Sequence, residues 1–527
     1  MTPISPQDLR ELMAGDTQWA LFDIREAGEA DAGHVQGATF LPRRMLELRA
    51  AELVPDRRTT IVVYDEGGTR AARAAQSLER AGYGDLRVLD GGTAAWQAAG
   101  FPLATGSNVP SKLFGEEVYE HHGVPQLPVT ELERWRREGA PHLVVDIRTP
   151  DEYRVGRIPG AWGGFGVDVG LNAADLAARG VPIVVHCAGR TRSIIACQTL
   201  RALGVANVAA LENGTMGWTL AGFELEREPS DRLLTPSPHS VEDATARADA
   251  LATGAGATRI DADDLRSRLA SREAGALNLY VFDVRQVPDF EAGHVPGSRT
   301  LPGGLAVQRT DEFVAVRNAR IVLVDEHEGR ALITAYWLRT MGFPHVHVLA
   351  GGLAAWRAGG GDIEHGRPRA LPLRLDDAKR AGRRLAPGAL RDALVEAPEA
   401  VVVDVGTSRH FADGHLPGAR WVPYGWLEDR MPAIAPSRES IVVVTDQGGL
   451  HAGYAAENLV ALGYPNVWVL EGGVAAWSKV GLPVETGLDD PEPMDIVTPP
   501  YAKDRETMAR YLAWEQQLTR QRHGAPR

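Results

Sequence analysis

The sequence predicts an α/β protein made of four tandem repeats of one domain, each with a mostly parallel β-sheet. Three observations support this prediction: a set of motifs recurs four times, each repeat contains a short run of apolar β-branched residues, and each run precedes a helical stretch that ends at a glycine. Such runs are typical of strands that are buried on both faces of a parallel sheet. Strands that alternate with helices indicate an α/β fold.

Three motifs define the repeats. The first places an aspartate at the end of a predicted strand, and it occurs at 21–25, 144–148, 281–285 and 402–406. The second is a glycine-bounded turn at 33–37, 156–160, 293–297 and 414–418. The third, Leu-x-Gly-Gly or Leu-Glu-Asn-Gly, precedes Trp96, Trp218, Trp356 and Trp477, which stand 122, 138 and 121 residues apart. A period of this length is that of a domain and not of a solenoid turn.

The strands and helices are placed by the apolar runs and by the glycines that follow them. The runs are 61–64, 183–186, 321–324 and 441–444, and the glycines are Gly82, Gly204, Gly342 and Gly463. We expect each glycine to end a helix, because it supplies the left-handed cap at low cost.

The domain boundaries follow from the same motifs. We predict repeat 1 at 5–106, repeat 2 at 127–229, repeat 3 at 259–366 and repeat 4 at 384–487. The segment 230–258 has little apolar periodicity, so we expect a linker between a front pair and a back pair of repeats. The last segment, 488–527, is expected to contain an amphipathic helix that docks on the body.

Composition excludes several classes of function. The chain has 527 residues, of which 44% are hydrophobic and 24% are charged, which is typical of a globular protein. The net charge of −13 argues against nucleic acid or an anionic membrane as the main partner. The start lacks the pattern of a signal peptide, and no apolar run approaches the length of a membrane span. We therefore expect a cytoplasmic protein.

The repeats differ at one position in the loop that follows the apolar run. Seventeen residues before the capping glycine, the four repeats carry Asp65, Cys187, Asp325 and Asp446. Ligand sites of parallel sheets lie at the carboxyl ends of the strands, so this loop is the candidate site. Only repeat 2 has a thiol there, and the second cysteine, Cys197, is expected to pack in the core.

The loop of repeat 2 has the features of an anion site. It reads His-Cys-Ala-Gly-Arg-Thr-Arg-Ser at 186–193 and leads into a helix, whose first N–H groups have no partner within the helix. These N–H groups, the helix dipole and the charges of Arg190 and Arg192 favour a thiolate at Cys187. The sequence therefore predicts a nucleophilic cysteine.

Taken together, the three motifs and the Cys-x-x-x-x-Arg loop resemble the rhodanese (sulfurtransferase) family across nearly the whole chain. The resemblance implies four five-stranded parallel sheets with helices on both faces. It also implies a ping-pong reaction in which Cys187 takes sulfane sulfur from a donor and passes it to a thiol or cyanide. By resemblance the substrate-binding residues are Ala188, Gly189, Arg190, Thr191, Arg192 and Ser193, with no metal or organic cofactor.

Several alternatives remain open from the sequence. The donor stays open among a thiosulfate-like compound, mercaptopyruvate and a persulfide. The residues after Cys187 match neither the pattern associated with thiosulfate enzymes nor the one associated with mercaptopyruvate enzymes. A cysteine phosphatase or arsenate reductase is an alternative, although the loop has four residues between Cys187 and Arg192, one fewer than in phosphatases. The second alternative is a non-catalytic protein that senses persulfides or serves as a scaffold. Repeats 1, 3 and 4 are expected to be silent, because aspartate cannot carry a persulfide.

Overall fold

The computed structural model describes residues 1–368, 372–490 and 493–521 and contains four five-stranded parallel sheets. Each sheet has the same strand order, which in repeat 1 is β1-β5-β4-β2-β3. The predicted fold class is confirmed. The strands, five for each repeat in chain order, are β1 Thr2–Ile4, β2 Trp19–Asp23, β3 Thr39–Phe40, β4 Thr60–Tyr64, β5 Leu86–Leu89; β6 Gln126–Leu127, β7 Leu143–Asp146, β8 Trp162–Gly163, β9 Ile183–His186, β10 Val208–Leu211; β11 Thr258–Ile260, β12 Leu279–Asp283, β13 Arg299–Thr300, β14 Arg320–Val324, β15 Val346–Leu349; β16 Arg383–Leu385, β17 Val401–Asp404, β18 Arg420–Trp421, β19 Val442–Thr445 and β20 Val467–Leu470.

Helices connect the strands within each repeat, and several more lie between or after the repeats. In chain order the α-helices are α1 Pro6–Ala14, α2 Ala27–Ala32, α3 Leu46–Leu53, α4 Arg70–Arg80, α5 Gly92–Ala98, α6 Val109–His122, α7 Val129–Glu138, α8 Pro150–Val155, α9 Asp168–Leu171, α10 Ala173–Ala178, α11 Thr191–Ala202, α12 Gly214–Leu220, α13 Pro238–Gly254, α14 Ala262–Glu273, α15 Val287–Ala292, α16 Gly303–Gln308, α17 Thr310–Phe313, α18 Gly329–Thr340, α19 Gly352–Ala358, α20 Leu375–Arg380, α21 Pro387–Glu396, α22 Ser408–Asp413, α23 Leu427–Ile434, α24 Leu450–Ala461, α25 Gly473–Lys479 and α26 Arg505–Glu515. Among the described residues, no helix is both long enough and apolar enough to cross a membrane.

The strand order places the candidate loop at the point where the sheet reverses its direction of growth. In repeat 2 the order is β6-β10-β9-β7-β8. The connection after β7 leads to β8 on one side of the sheet, and the connection after β9 leads to β10 on the other side. A ligand crevice forms at the carboxyl ends of the two strands that flank such a switch point. Cys187 follows β9 there, and Arg148 follows β7 after one intervening residue.

The chain folds into two compact units, and the expected pairing of the repeats is wrong. One unit holds repeats 1 and 4, and the other holds repeats 2 and 3 together with α26. In the second unit, Trp337 of repeat 3 donates its indole N–H to Thr199 of repeat 2 at 2.9 Å, and Gln286 donates to Asp168 at 2.7 Å. Sequence order alone does not indicate which repeats pack together.

The segment that we expected to be a linker contains a 17-residue helix, α13. Ala244, Ala248 and Ala252 recur every four residues and are buried, and small apolar side chains at this spacing form one helix face. This face lies against repeats 2 and 3, with Ser240 donating to the Leu171 carbonyl at 2.8 Å. The helix therefore joins the two repeats. The sequence does not predict it, because an alanine stripe carries little contrast between an apolar and a polar face.

The ends of the predicted ranges differ slightly from the strands. β1 precedes the predicted start of repeat 1 at residue 5, because a three-residue edge strand has no apolar run to reveal it. The capping glycines adopt left-handed backbone conformations, for example Gly204 at φ +98°. The predicted tail, 488–527, contains α26, while residues 491–492 and 522–527 lie outside the described residues.

An aspartate ends the second strand of each sheet, and in three repeats an arginine two residues later binds it. Arg25 donates to both oxygens of Asp23 at 2.9 and 2.6 Å, and repeats 2 and 3 have the same arrangement. Repeat 4 has Gly406 in place of the arginine. Burial raises the pKa of Asp404 to about 7, and the charge of Asp446 adds to the rise, although the Gly406 N–H opposes it.

Replacing Asp404 by asparagine should therefore stabilise the protein at pH 8. A carboxyl group with a raised pKa in the folded state costs stability progressively as the pH rises from about 4 to its folded pKa, and the cost is fully present above that pH. We expect Asp404→Asn to raise the free energy of unfolding by at least about 1 kcal/mol at pH 8 and by less at pH 5. Urea unfolding at the two pH values measures this difference.

Asp23→Asn is the matched control. This substitution leaves Arg25 buried without its charge partner and should destabilise the protein by roughly 3 kcal/mol at both pH values. A loss of stability in Asp404→Asn at pH 8 would contradict the account of the buried strand-end carboxyl.

Candidate active site

In repeat 1 the loop after the apolar strand wraps its own N–H groups around a carboxylate. Asp65 Oδ1 accepts hydrogen bonds from the N–H groups of Gly67 and Gly68 at 2.7 and 2.9 Å. Its Oδ2 accepts one from Ala71, in the first turn of α4, at 3.0 Å. The loop therefore forms an anion-binding concavity, and the aspartate occupies it.

The aspartates of repeats 3 and 4 also accept hydrogen bonds from loop N–H groups, at the same positions as in repeat 1 for Asp446 and at different ones for Asp325. Asp446 accepts hydrogen bonds from the N–H groups two and six residues later at 2.8 and 3.1 Å. Asp325 accepts them from Glu326 and Arg330 at 2.7 and 2.8 Å. Three loops thus direct N–H groups to the carboxyl group at this position.

Cys187 occupies the corresponding position in repeat 2, directly after β9. By position, the N–H groups that bind the carboxylate in repeats 1 and 4 correspond to those of Gly189, Arg190 and Ser193. The Cys187 Sγ lies 3.5 Å from the Ser193 hydroxyl, which itself donates to the Arg190 carbonyl at 2.9 Å. Only 2% of Cys187 is exposed, so the covering side chains leave a narrow opening at most.

The third sequence motif holds the loop in this shape. The N–H groups of Thr215 and Met216, at the start of α12, donate to the carbonyls of Cys187 and Ala188, both at 2.9 Å. These bonds fix the carbonyls at the α12 side of the loop. Gly214 has φ +53°, and a Cβ there would lie 2.2 Å from the Cys187 carbonyl oxygen. The glycine is therefore required by the close approach of α12 to the loop.

Arg190 is directed away from the cysteine and towards α6. Its guanidinium makes a bidentate ion pair with Glu116, at 2.6 and 2.7 Å, and it lies over the ring of Tyr119. Burial raises the pKa of Glu116, although the pairing with Arg190 opposes this. Bidentate pairs of this kind fix geometry as well as charge. Arg190 therefore ties the loop to a helix that the motif analysis had not assigned.

Arg192 is similarly paired, with Glu152 of α8 at 2.7 and 2.8 Å. Burial would raise the pKa of Glu152, but its bonds to Arg192 dominate and lower it to about 2. Burial lowers the pKa of Arg192, yet the pairing with Glu152 and attraction to Cys187 raise it overall. Repeat 1 has the same pair, Arg70 with Glu29, although it has no cysteine, so the ion pair is a structural feature of the domain. In repeat 2 the Arg192 guanidinium also brings a positive charge near the thiol.

His186 precedes the cysteine and is fully buried. Burial lowers its pKa, although the nearby Asp146 opposes this, so the imidazole is neutral at pH 7. Its Nδ1 lies 3.3 Å from the Cys187 carbonyl oxygen, and its Nε2 lies 3.6 Å from Asp146. The ring contacts the backbone of the cysteine and packs beneath the loop.

The C-terminal helix α26 covers the other side of the loop. The Thr191 hydroxyl donates to Glu515 Oε1 at 2.6 Å, and Glu515 is 1% exposed. A Cβ on Gly189 would lie 3.7 Å from Leu512 Cδ2 and 3.5 Å from Glu515 Oε2. Sequence reasoning predicted an amphipathic helix here but had no signal for its position on the active-site loop.

A cavity of about 460 Å³ lies beside the loop, between repeats 2 and 3 of the same compact unit. Thr191 and Arg192 form part of its wall, and Gln286 and Leu305 belong to the opposite side. Cys187 is not among its lining residues. Cavities of this size accommodate small-molecule ligands, and this one meets the cysteine loop at Arg192.

A model of the rhodanese-like domain matches residues 5–99, 128–221, 261–359 and 387–480. The chain belongs to the rhodanese-like domain family.

Several of the similar proteins carry sulfurtransferase names. The solved structure of a thiosulfate sulfurtransferase from Pseudomonas aeruginosa is 37% identical, covers 99% of this chain and 98% of that one, and has a TM-score of 0.89. A sulfurtransferase from Allochromatium vinosum is 32% identical over 100 residues, which are 19% of this chain and 92% of that protein. A probable adenylyltransferase/sulfurtransferase, MoeZ, from Mycobacterium tuberculosis is 35% identical over 95 residues, or 18% of this chain, and the match spans 24% of that relative's length.

The predicted residues of the second rhodanese-like domain lie in the loop after β9 and in the first turn of α11, and their side chains have different surroundings. Ser193 contacts the sulfur, whereas the side chains of Arg190, Thr191 and Arg192 bind carboxylates on other helices. The motif analysis missed these carboxylates, which are Glu116, Glu152 and Glu515. Among the described residues, no three His, Cys, Asp or Glu side chains gather in a way that could hold a metal ion.

Cys197 lies in α11 and is fully buried. Its Sγ is 3.7 Å from the Val208 carbonyl oxygen, and burial raises the pKa of its thiol to about 12. The thiolate is the reactive form of cysteine, so this side chain is expected to be inert in the folded protein.

The two cysteines should therefore differ in their reaction with iodoacetamide. We expect one carboxamidomethyl group per native chain at pH 8, located on Cys187, with Cys197 labelled only after denaturation. Peptide mass spectrometry measures both sites, and Cys187→Ser should remove the native label. Labelling of Cys197 at a rate comparable with Cys187 would contradict this assignment.

Proposed function

We propose that this protein is a sulfurtransferase that carries sulfane sulfur as a persulfide on Cys187. The observation that carries the proposal is the loop itself: three repeats hold a carboxylate within it, and repeat 2 holds a thiol at the same place. A loop that stabilises a negative charge favours both a thiolate and a persulfide anion. The sulfurtransferase names of the family relatives support this function.

In the first step, the Cys187 thiolate attacks the outer sulfur of the donor. The bond between that sulfur and the rest of the donor breaks, and the bonding electrons leave with the donor fragment. With thiosulfate the fragment is sulfite, and the enzyme keeps one sulfur as Cys187–S–S⁻. We propose that the N–H groups of Gly189, Arg190 and Ser193, which correspond by position to those that bind the carboxylate in repeats 1 and 4, bind the negative charge that moves onto the added sulfur.

In the second step, a nucleophilic acceptor attacks the outer sulfur of the persulfide. A thiolate acceptor becomes a new persulfide and cyanide becomes thiocyanate, while Cys187 returns to its thiolate form. No net oxidation occurs, because the sulfur atom moves with the same electron count from donor to acceptor. We propose that small molecules reach the loop from the side of the cavity at Arg192.

Repeats 1, 3 and 4 are proposed to be catalytically silent. Their aspartates occupy the loops and lack a sulfur that can be modified. Repeat 3 contributes a wall of the cavity beside Arg192, which is a structural reason for its presence next to repeat 2. Its Arg330 pairs with Asp168 of repeat 2, which joins the two repeats at the same interface.

The proposal is tested by the mass of the intact protein after exposure to thiosulfate, mercaptopyruvate or glutathione persulfide. We expect one donor to add one sulfur, about 32 Da, which maps to Cys187 and is removed by cyanide. Cys187→Ala should abolish the gain in mass and the turnover, while Cys197→Ala should retain both. Failure of all three donors to modify Cys187, or turnover of an aryl phosphate in its place, would contradict the proposal.

A further inference from the structure

Glu515 is a buried carboxylate on the helix that covers the active-site loop, outside the four matched rhodanese-like domains. Its Oε1 accepts the hydrogen bond from Thr191, and its Oε2 has no hydrogen-bond partner among the described residues. This second oxygen lies 3.5 Å from the position of a Cβ on Gly189, two residues after Cys187. A buried carboxylate oxygen without a partner is costly and calls for a functional explanation.

The helix is firmly docked, so the position of Glu515 is a property of the fold. Met508 and Leu512 pack with Met216 of α12 in one buried apolar cluster. Tyr511 lies on the same helix near the thiol. Burial raises the pKa of Tyr511 well above its usual value, and its interactions with Glu515 and Cys187, which include side-chain hydrogen bonding to Glu515, raise it further. The helix therefore presents both Tyr511 and Glu515 to the loop.

The loop arginines make their bidentate ion pairs with other carboxylates. Burial lowers the pKa of Arg190, but its pairing with Glu116 and the charge of Glu515 raise it overall. Arg190 is paired with Glu116, and Arg192 is paired with Glu152, each through two hydrogen bonds. Glu515, in contrast, receives its hydrogen bond from a neutral hydroxyl. Lys112 brings a positive charge to the same helix, but its ammonium group lies over the rings of Tyr511 and Trp514, at 5.0 Å from each.

We propose that Glu515 determines donor specificity by placing a negative charge beside the Cys187 loop, which disfavours dianionic donors relative to monoanionic or neutral ones. The inference rests on the proposed sulfurtransferase function and names the class of donor that this site prefers. Like charges in a partly buried site repel each other, and a dianion experiences twice the repulsion of a monoanion. Thiosulfate is therefore expected to be a poorer donor than a monoanionic thiosulfonate.

The test compares an anionic and a neutral alkylating reagent at Cys187 in the full-length protein. Glu515→Gln keeps an acceptor oxygen for Thr191 and removes the charge, while Glu515→Asp keeps the charge. Glu506→Gln is the matched control, because it removes a carboxylate from the exposed start of the same helix. The measured quantity is the ratio of the alkylation rates with iodoacetate and iodoacetamide, and thermal unfolding verifies that each variant is folded.

We expect Glu515→Gln to raise this ratio by at least about threefold, and Glu506→Gln and Glu515→Asp to leave it near the wild-type value. The same variant should raise kcat/KM for thiosulfate more than for benzenethiosulfonate. A reactive Cys187 with an unchanged ratio in Glu515→Gln would overturn this inference alone. A Cys187 that reacts with neither reagent in the native protein would overturn the proposed function and the inference with it.

Discussion

The convergence of loop N–H groups on one point, at the end of a buried parallel strand, is the constraint on which the rest of the site depends. In repeats 1 and 4 the aspartate at this point accepts hydrogen bonds from the N–H groups of the residues two and six positions later in the chain. Because the geometry stabilises any anion at that point, exchange of aspartate for cysteine converts a structural group into a candidate nucleophile. One fold thus holds an aspartate in three of these loops and a cysteine in the fourth.

The loop of repeat 2 is held in place by contacts from several sides. The start of α12 binds two of its carbonyls, and Gly214 allows the close approach. Three carboxylates on α6, α8 and α26 bind the side chains of Arg190, Arg192 and Thr191. Such preorganisation reduces the reorganisation needed when charge develops on the sulfur. The contacts also explain why Cys187 is nearly covered.

The fold could be predicted from the sequence because its signals are local: apolar runs give the strands, and glycines such as Gly204 end the helices. The position of Cys187 followed from the same spacing. The pairing of repeats 2 and 3 could not be predicted, because contacts such as Trp337 with Thr199 join residues far apart in the chain. For the same reason the sequence does not predict the contacts of Glu116 with Arg190 or of Glu515 with Thr191, since an acidic residue in a polar helix has the same pattern as a solvated side chain.

The most direct test of the central claim is a crystal structure of the Cys187→Asp variant. The account predicts that the carboxylate occupies the loop as Asp65 does, with its oxygens within hydrogen-bonding distance of the N–H groups of Gly189 and Ser193. A carboxylate that turns out of the loop, or a loop whose N–H groups point elsewhere, would contradict the claim that this fold provides an anion site at the end of β9.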